Sequence, residues 1–386
     1  MIPYGRQDID QSDIDAVVST LTSDFLTQGP AIEAFENAMA AYCGASHAVA
    51  LCNATAALHV ACLALGLGPG KRLWTSPITF VASANCARYC GASIDFVDID
   101  ARTYNMDVGA LSSKLERAAR ENALPDIVIP VHFAGQSCAM REIGDLAARY
   151  GFAVIEDASH AVGADYLGGK VGSCRFADAT VFSFHPVKLL TTGEGGLVLT
   201  NSPEVARRVA RLRSHGITRA PGEFQGDNPG GWYHEQIELG FNYRMTDIQA
   251  ALGLSQLLRL DKFLARRREL ARRYDDRFAN EPLTRPWQAP DGLSAYHLYP
   301  VWVDPGADGQ RRGRIFQQLR AVGIGVQVHY IPVHTQPYYR GLGFKPGDFP
   351  NAERYYSGAI SLPLFTRLSD MEQDVVVARL REFLRA

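Results

Sequence analysis

Between residues 47 and 200 the chain repeats one pattern: a short unbroken apolar run, followed by a stretch with apolar positions at helical spacing. The runs are HAVALC, RLWTSP, SIDFVDI, DIVIPVHF, FAVIED, ATVFSF and GLVLT. They are rich in Val, Ile and Phe and do not alternate strictly with polar residues, which is the pattern of strands covered on both faces. Between several of them lie amphipathic segments such as LSSKLERAARENAL and MREIGDLAARYG. Such alternation predicts an α/β domain with a large, mostly parallel sheet and helices on both sides. Past about residue 245 the texture changes. DIQAALGLSQLLRLDKFLARRRELARRYDDRFAN reads as long helix with a dense charged face. YHLYPVWVD, GIGVQVHY and MEQDVVVARLREFL then suggest a smaller α+β unit. The expected division is a large domain over 12–248 and a small one over 249–386, with residues 1–11 packing near the small one. DIDAVVSTLTS reads as a helix able to pack on either.

Composition narrows the class. A length of 386 residues, 47% of them apolar, supplies a substantial core. A net charge of −2 argues against a protein that coats nucleic acid or an acidic membrane. The seven cysteines are scattered, and the closest pair, Cys86 and Cys90, lacks zinc spacing and a matching second pair. They read as free thiols of a reducing compartment. The polar start IPYGRQDID is no signal peptide, and no apolar run is long enough to span a bilayer. The expectation is a cytoplasmic protein.

Ligands of open α/β sheets bind at the carboxyl ends of strands, so the polar residues that follow the runs carry the chemistry. Asn53, Ala54, Thr55 and Ala56 open a helix after HAVALC. A helix start offers free N–H groups and a favourable dipole to a phosphate, although a plain N-cap explains the same residues. Asp157 ends the apolar run FAVIE, where a carboxylate needs a partner. That partner is either a structural ion pair or a protonated ring nitrogen. Lys188 follows ATVFSF in FSFHPVKLLTTGEGG, with Ser183 and His185 beside it. It is either a surface lysine with a buried stem or, with a lowered pKa, a Schiff-base nucleophile. A phosphate cradle, a ring-nitrogen carboxylate and a Schiff-base lysine together are the requirements of pyridoxal 5'-phosphate (PLP).

The motifs LTQGPAIEAFE, NATAAL, SPITFVASANC, VHFAGQ, EDASHAVGADY, FSFHPVKLLTTGEGG, SHG, GFNYRMTDIQAALGLSQL and QVHYIPVH occur in this order. Over essentially its whole length the chain resembles the sugar aminotransferases of the DegT/DnrJ/EryC1/StrS family, which have the aspartate aminotransferase (type I) fold. By that resemblance Lys188 would bind the cofactor covalently and move protons. Asp157 would pair with the pyridine nitrogen, and Phe80 would stack on the ring. Ala54, Thr55 and Ser183 would contact the phosphate, with Ala54 standing where the family commonly has Gly. His160 occupies a place near the cofactor's 3-oxygen where many relatives carry Gln. Asn242 would reach the phosphate of a neighbouring subunit, which implies a homodimer with shared active sites. His329 and Tyr330 would lie near the sugar, and Arg244 is a candidate for the glutamate carboxylate. The implied reaction moves an amino group from L-glutamate to a nucleotide-linked keto sugar through pyridoxamine 5'-phosphate. The resemblance is strongest to the C4 aminotransferases of pseudaminic acid biosynthesis, which act on a UDP-linked sugar. Alternatives are a C4 or C3 aminotransferase for a dTDP or GDP keto sugar, or a non-catalytic PLP-binding regulator, against which Lys188 and Asp157 argue.

Overall fold

A computed structural model describes residues 1–385. Seven strands form the main sheet: β1 (His47–Leu51), β2 (Arg72–Thr75), β3 (Ser93–Phe96), β4 (Ile127–Ile129), β5 (Ala153–Asp157), β6 (Ala179–Ser183) and β7 (Gly196–Thr200). Their spatial order is β1-β7-β6-β5-β4-β2-β3. β7 runs antiparallel to both its neighbours, and the pairings from β6 across to β3 are parallel. The unbroken apolar runs follow from this arrangement, because alternate residues of one strand enter cores on opposite faces. Leu73, Ile127, Ile129, Ile155, Val181 and Val198 pack on one face, under α3 (Ala54–Ala64) and α4 (Ala82–Tyr89), which follow α1 (Gln11–Leu21) and α2 (Pro30–Cys43) along the chain. Trp74, Val128 and Val154 pack on the other, with Leu111 and Leu115 of the helix Val108–Arg120 and Ile143 of the helix Met140–Tyr150. Phe182, Leu197 and Leu199 meet Phe35 and Met39 of the helix Pro30–Cys43.

The smaller unit centres on a two-stranded antiparallel ribbon, Tyr299–Trp302 with Ala359–Leu362, backed by the helices Arg311–Ala321 and Asp370–Arg385. Its core also takes Leu270, Ala271 and Tyr274 from the long helix Leu260–Arg277, and Phe278 that caps its end. Leu260 and Leu264 of that same helix lie in the core of the main sheet, with Ala250. The change of core therefore falls within one continuous helix, some residues beyond the 248/249 division suggested by sequence texture. Arg267, buried at this seam, donates to the carbonyls of Tyr296, His297 and Leu364.

The amino-terminal segment is tied to the smaller unit. The Ile2 amide donates to Gly323, the Gly325 amide to Ile2, and the Leu364 amide to Tyr4. The helix Gln11–Leu21 packs against the helix Asp247–Leu257 through buried Asp13, which accepts from Ser255 (2.7 Å), Gln256 (2.6 Å) and Arg259. Among the described residues no helix is long and apolar enough to cross a membrane.

Candidate active site

The parallel sheet brings the ends of β5 and β6 to one edge, and β1 leads there through the turn into α3. Asn53 caps α3, accepting from the Ala56 amide at 2.8 Å. The Ala57 amide bonds the Asn53 carbonyl, whereas the amides of Ala54 and Thr55 meet no protein acceptor among the described residues. Two free N–H groups and a helix dipole therefore converge at this point. The approach requires glycine at 196. A Cβ there would stand 2.4 Å from the Asn53 carbonyl and 2.6 Å from the Ala54 nitrogen.

Asp157, the last residue of β5, is buried and held on both carboxylate oxygens. The Ser83 hydroxyl donates to Oδ2 at 2.5 Å, and the Ser159 hydroxyl and amide donate to Oδ1 at 2.6 and 3.1 Å. Ser83 is itself 2.7 Å from the Thr79 hydroxyl. These contacts fix where the carboxylate points.

Lys188 lies in the turn after β6, its amide bonded to the His185 carbonyl at 2.8 Å. Its side chain is half-buried at the cavity wall. That burial pulls its pKa down to about 8, although the Asp157 carboxylate pulls the other way. At neutral pH a group with that pKa is neutral in about a tenth of molecules, against fewer than about one in a thousand for an ordinary lysine.

His160 is buried, and burial holds its pKa well below the ordinary histidine value, reinforced by the positive charge of Lys188. The Ala134 amide donates to its Nδ1 at 3.3 Å, so the proton sits on Nε2, 3.0 Å from the Tyr330 hydroxyl. Both ring nitrogens are thus engaged within the protein, and neither is free for a ligand. His297 packs on His160 with centroids 4.4 Å apart. Burial likewise lowers His297, and it takes His329 down to about 3, with Lys188 adding to the effect. His329 Nδ1 lies 2.9 Å from the Ser361 hydroxyl.

These groups border one cavity of about 520 Å³. Of the eleven residues singled out from sequence, nine line it: Ala54, Thr55, Phe80, Asp157, His160, Ser183, Lys188, His329 and Tyr330. Phe80 is 59% exposed although its neighbours Ile78 and Ala82 are buried, so it presents an open aromatic face. Asn242 and Arg244 lie outside the cavity. Asn242 is exposed, in a segment bridged to Ser214, and Arg244 borders a separate cleft of about 270 Å³ with Glu33, Glu36 and Arg213. Sequence reasoning missed Tyr4, Thr79, Ser159, Val187, Glu194 and His297, which also line the cavity. Ser159 stood within a quoted motif, but nothing local marks Tyr4, far from Lys188 in the chain.

The lining fits PLP on its own chemistry. Two free amides, with the Thr55 and Ser183 hydroxyls that have no protein partner among the described residues, suit a phosphate. An open phenyl face suits an aromatic ring, a fixed carboxylate suits its nitrogen, and a lysine amine of lowered pKa suits an aldehyde carbon.

Residues 7–381 match the DegT/DnrJ/EryC1/StrS aminotransferase family. The chain is 42% identical over 387 residues to the spore coat polysaccharide biosynthesis protein SpsC of Bacillus subtilis, covering 100% of this chain and 97% of SpsC. It is 40% identical over 364 residues to the UDP-4-amino-4,6-dideoxy-N-acetyl-beta-L-altrosamine transaminase of Campylobacter jejuni, covering 94% of this chain and 92% of that one. Among solved structures, Spr1654 of Streptococcus pneumoniae, described as a sugar aminotransferase in its PMP form, superposes with a TM-score of 0.90 at 31% identity. It covers 100% of this chain and 99% of its own. PseC of Helicobacter pylori, an aminotransferase involved in the biosynthesis of pseudoaminic acid, gives the same TM-score, 0.90, identity, 31%, and coverage, 100% and 99%.

Proposed function

The chain belongs to the DegT/DnrJ/EryC1/StrS aminotransferase family of PLP-dependent enzymes, and from that premise we propose the reaction it performs. It moves the amino group of L-glutamate to the C4 keto group of a UDP-linked 4-keto-6-deoxy-N-acetylhexosamine. The products are 2-oxoglutarate and UDP-4-amino-4,6-dideoxy-N-acetyl-β-L-altrosamine, a step of pseudaminic acid biosynthesis. One observation carries the reaction type: a single cavity holds the Lys188 amine, with its pKa of about 8, beside Asp157 and the free amides of α3. The choice of substrate is supported by the relative of that name from Campylobacter jejuni.

When bound, PLP supplies an electron sink that makes a proton on the adjoining carbon removable. The chain's own residues do the rest. The amides of Ala54 and Thr55 and the hydroxyls of Thr55 and Ser183 hold the phosphate. Phe80 covers one face of the ring. Asp157, aimed by Ser83 and Ser159, stands at the ring nitrogen. Lys188, with an amine that is neutral often enough to accept a proton, would take up and return the proton of the reacting substrate carbon in both half-reactions.

The same reading makes the protein a cytoplasmic homodimer. The exposed Asn242 side chain, which has no partner among the described residues, reaches the phosphate bound by the second copy.

The test begins with the visible spectrum of the purified protein. Glutamate bleaches a yellow protein toward the pyridoxamine form, and borohydride fixes the cofactor to the peptide that carries Lys188. A panel of UDP, dTDP and GDP keto sugars then follows. Amination of the UDP-linked 4-keto sugar supports the proposal, preference for a dTDP or GDP sugar replaces the substrate, and a colourless protein that takes up no PLP overturns the whole reading.

A further inference from the structure

The hydroxyl of Tyr4 is the odd group in the cavity wall. Tyr4 stands beside His329, with ring centroids 5.6 Å apart, and His329 stands beside Tyr330 at 5.0 Å. Tyr330 already accepts from His160, and His329 is bonded to Ser361. The Tyr4 hydroxyl has no hydrogen-bond partner among the described residues, yet its side chain lines the cavity. A half-buried phenol with no internal partner loses its hydration on closure of the site unless a ligand replaces that hydrogen bond.

The backbone around Tyr4 is pinned on both sides, which fixes where its side chain leaves the chain. The Leu364 amide donates to the Tyr4 carbonyl at 3.0 Å, and the Gly325 amide donates to Ile2 at 2.7 Å. At residue 325 a Cβ would stand 3.0 Å from the Tyr4 nitrogen. On the far side, Gly5 runs over Val187, the residue before Lys188, where an added Cβ would come 4.0 Å from the Val187 Cβ. The amino-terminal segment thus leaves the smaller unit, crosses the turn that holds the reactive lysine, and places one phenol over it.

The charge of this wall says what it meets. Burial raises the pKa of Tyr4 above the ordinary phenol value, so it stays neutral. His329 is neutral for the opposite reason, its pKa taken down to about 3. Lys188 is the only lysine or arginine among the described residues that line the cavity. A wall of neutral hydroxyl and imidazole groups suits the hydroxyls and amide of a sugar, whereas the second carboxylate of glutamate needs a cation.

We infer that Tyr4 is a substrate-positioning residue that hydrogen-bonds the sugar of the keto-sugar substrate and takes no part in binding glutamate. The inference rests on the nucleotide-sugar reading above. Tyr4→Phe keeps the ring and its packing and removes only the hydroxyl. In single-turnover experiments the glutamate half-reaction, followed by loss of visible absorbance, keeps its rate in Tyr4→Phe, and the cofactor spectrum is unchanged. The second half-reaction, started from the pyridoxamine form with the UDP-linked 4-keto-6-deoxy-N-acetylhexosamine, loses about three- to tenfold in kcat/KM, mostly through KM, as expected for one hydrogen bond to a neutral group. Inhibition by UDP alone does not change. An unaltered sugar half-reaction overturns the inference, and so does an equal loss in both half-reactions or weaker UDP inhibition. A wild-type protein that is bleached by glutamate yet aminates no keto sugar overturns the parent reading and this inference with it, an outcome visible before the variant is made.

Discussion

Lys188 and Asp157 do different jobs in one cavity, and their variants separate accordingly. Lys188→Ala removes the one amine that the cavity holds at a pKa of about 8. Turnover should fall to background while the far-ultraviolet circular dichroism stays native, since Lys188 makes no side-chain hydrogen bond that the fold depends on. Retained activity in this variant would end the mechanism. Asp157→Asn keeps the size and the Ser83 contact but removes the charge that the proposed function sets against the ring nitrogen. The expected loss in kcat is about 10²- to 10⁴-fold, the range for a key electrostatic or acid–base group. If kcat is unchanged, Asp157 serves only to anchor Ser83 and Ser159. His160 shows why identity alone does not give a role at this scale. Its two nitrogens meet the Ala134 amide and the Tyr330 hydroxyl.

At the scale of elements, the cavity depends on how closely β7 approaches the start of α3. That approach fixes the turn into α3, whose first amides have no helical partner, and it leaves no room for a side chain at residue 196. Gly196→Ala drives a methyl into the Asn53 carbonyl, which belongs to the backbone and cannot step aside cheaply. A loss of about 1–3 kcal/mol in stability is expected from such overpacking, together with about a tenfold weaker PLP affinity as the α3 amides shift. Thermal melting and PLP titration measure the two effects. Gly222→Ala, at a position where the added Cβ meets nothing within 4 Å, is the control. Equal behaviour of the two variants would remove the close approach from the account of the site.

For the whole molecule, the histidines at the seam between the two cores set the response to acid. His160, His297 and His329 are all buried with pKa values held below the ordinary one, His329 at about 3. The unfolded chain therefore binds more protons than the folded one once the pH drops below about 6.5. Their stabilising contribution is complete above that pH and is lost as the pH falls toward the folded values. Each histidine adds a slope of at most about 1.4 kcal/mol per pH unit. The melting temperature of the apoprotein should fall steadily from pH 6.5 to 5, and a flat profile would show that water reaches these rings. Arg267 of the long shared helix stands at the same seam, bonded to the His297 carbonyl, and its charge adds to the lowering of His297.

The features legible in the chain before folding follow from short-range physics. Strands buried on both faces need consecutive apolar residues, so the strand runs and the polar residues at their ends stood out. Asn53, Asp157 and Lys188 were legible because each follows such a run, and the ordered motifs around them carried the family. Only the tertiary structure decided the rest, because those features depend on contacts between distant segments. Tyr4 enters the cavity because Leu364 bonds its carbonyl and Gly323 and Gly325 bond the nearby Ile2, which no local pattern encodes. The tautomer of His160 is set by an amide 26 residues away. The helix Leu260–Arg277 reads as one amphipathic segment, yet it serves two cores, since a helix can turn successive parts of its apolar face toward different neighbours.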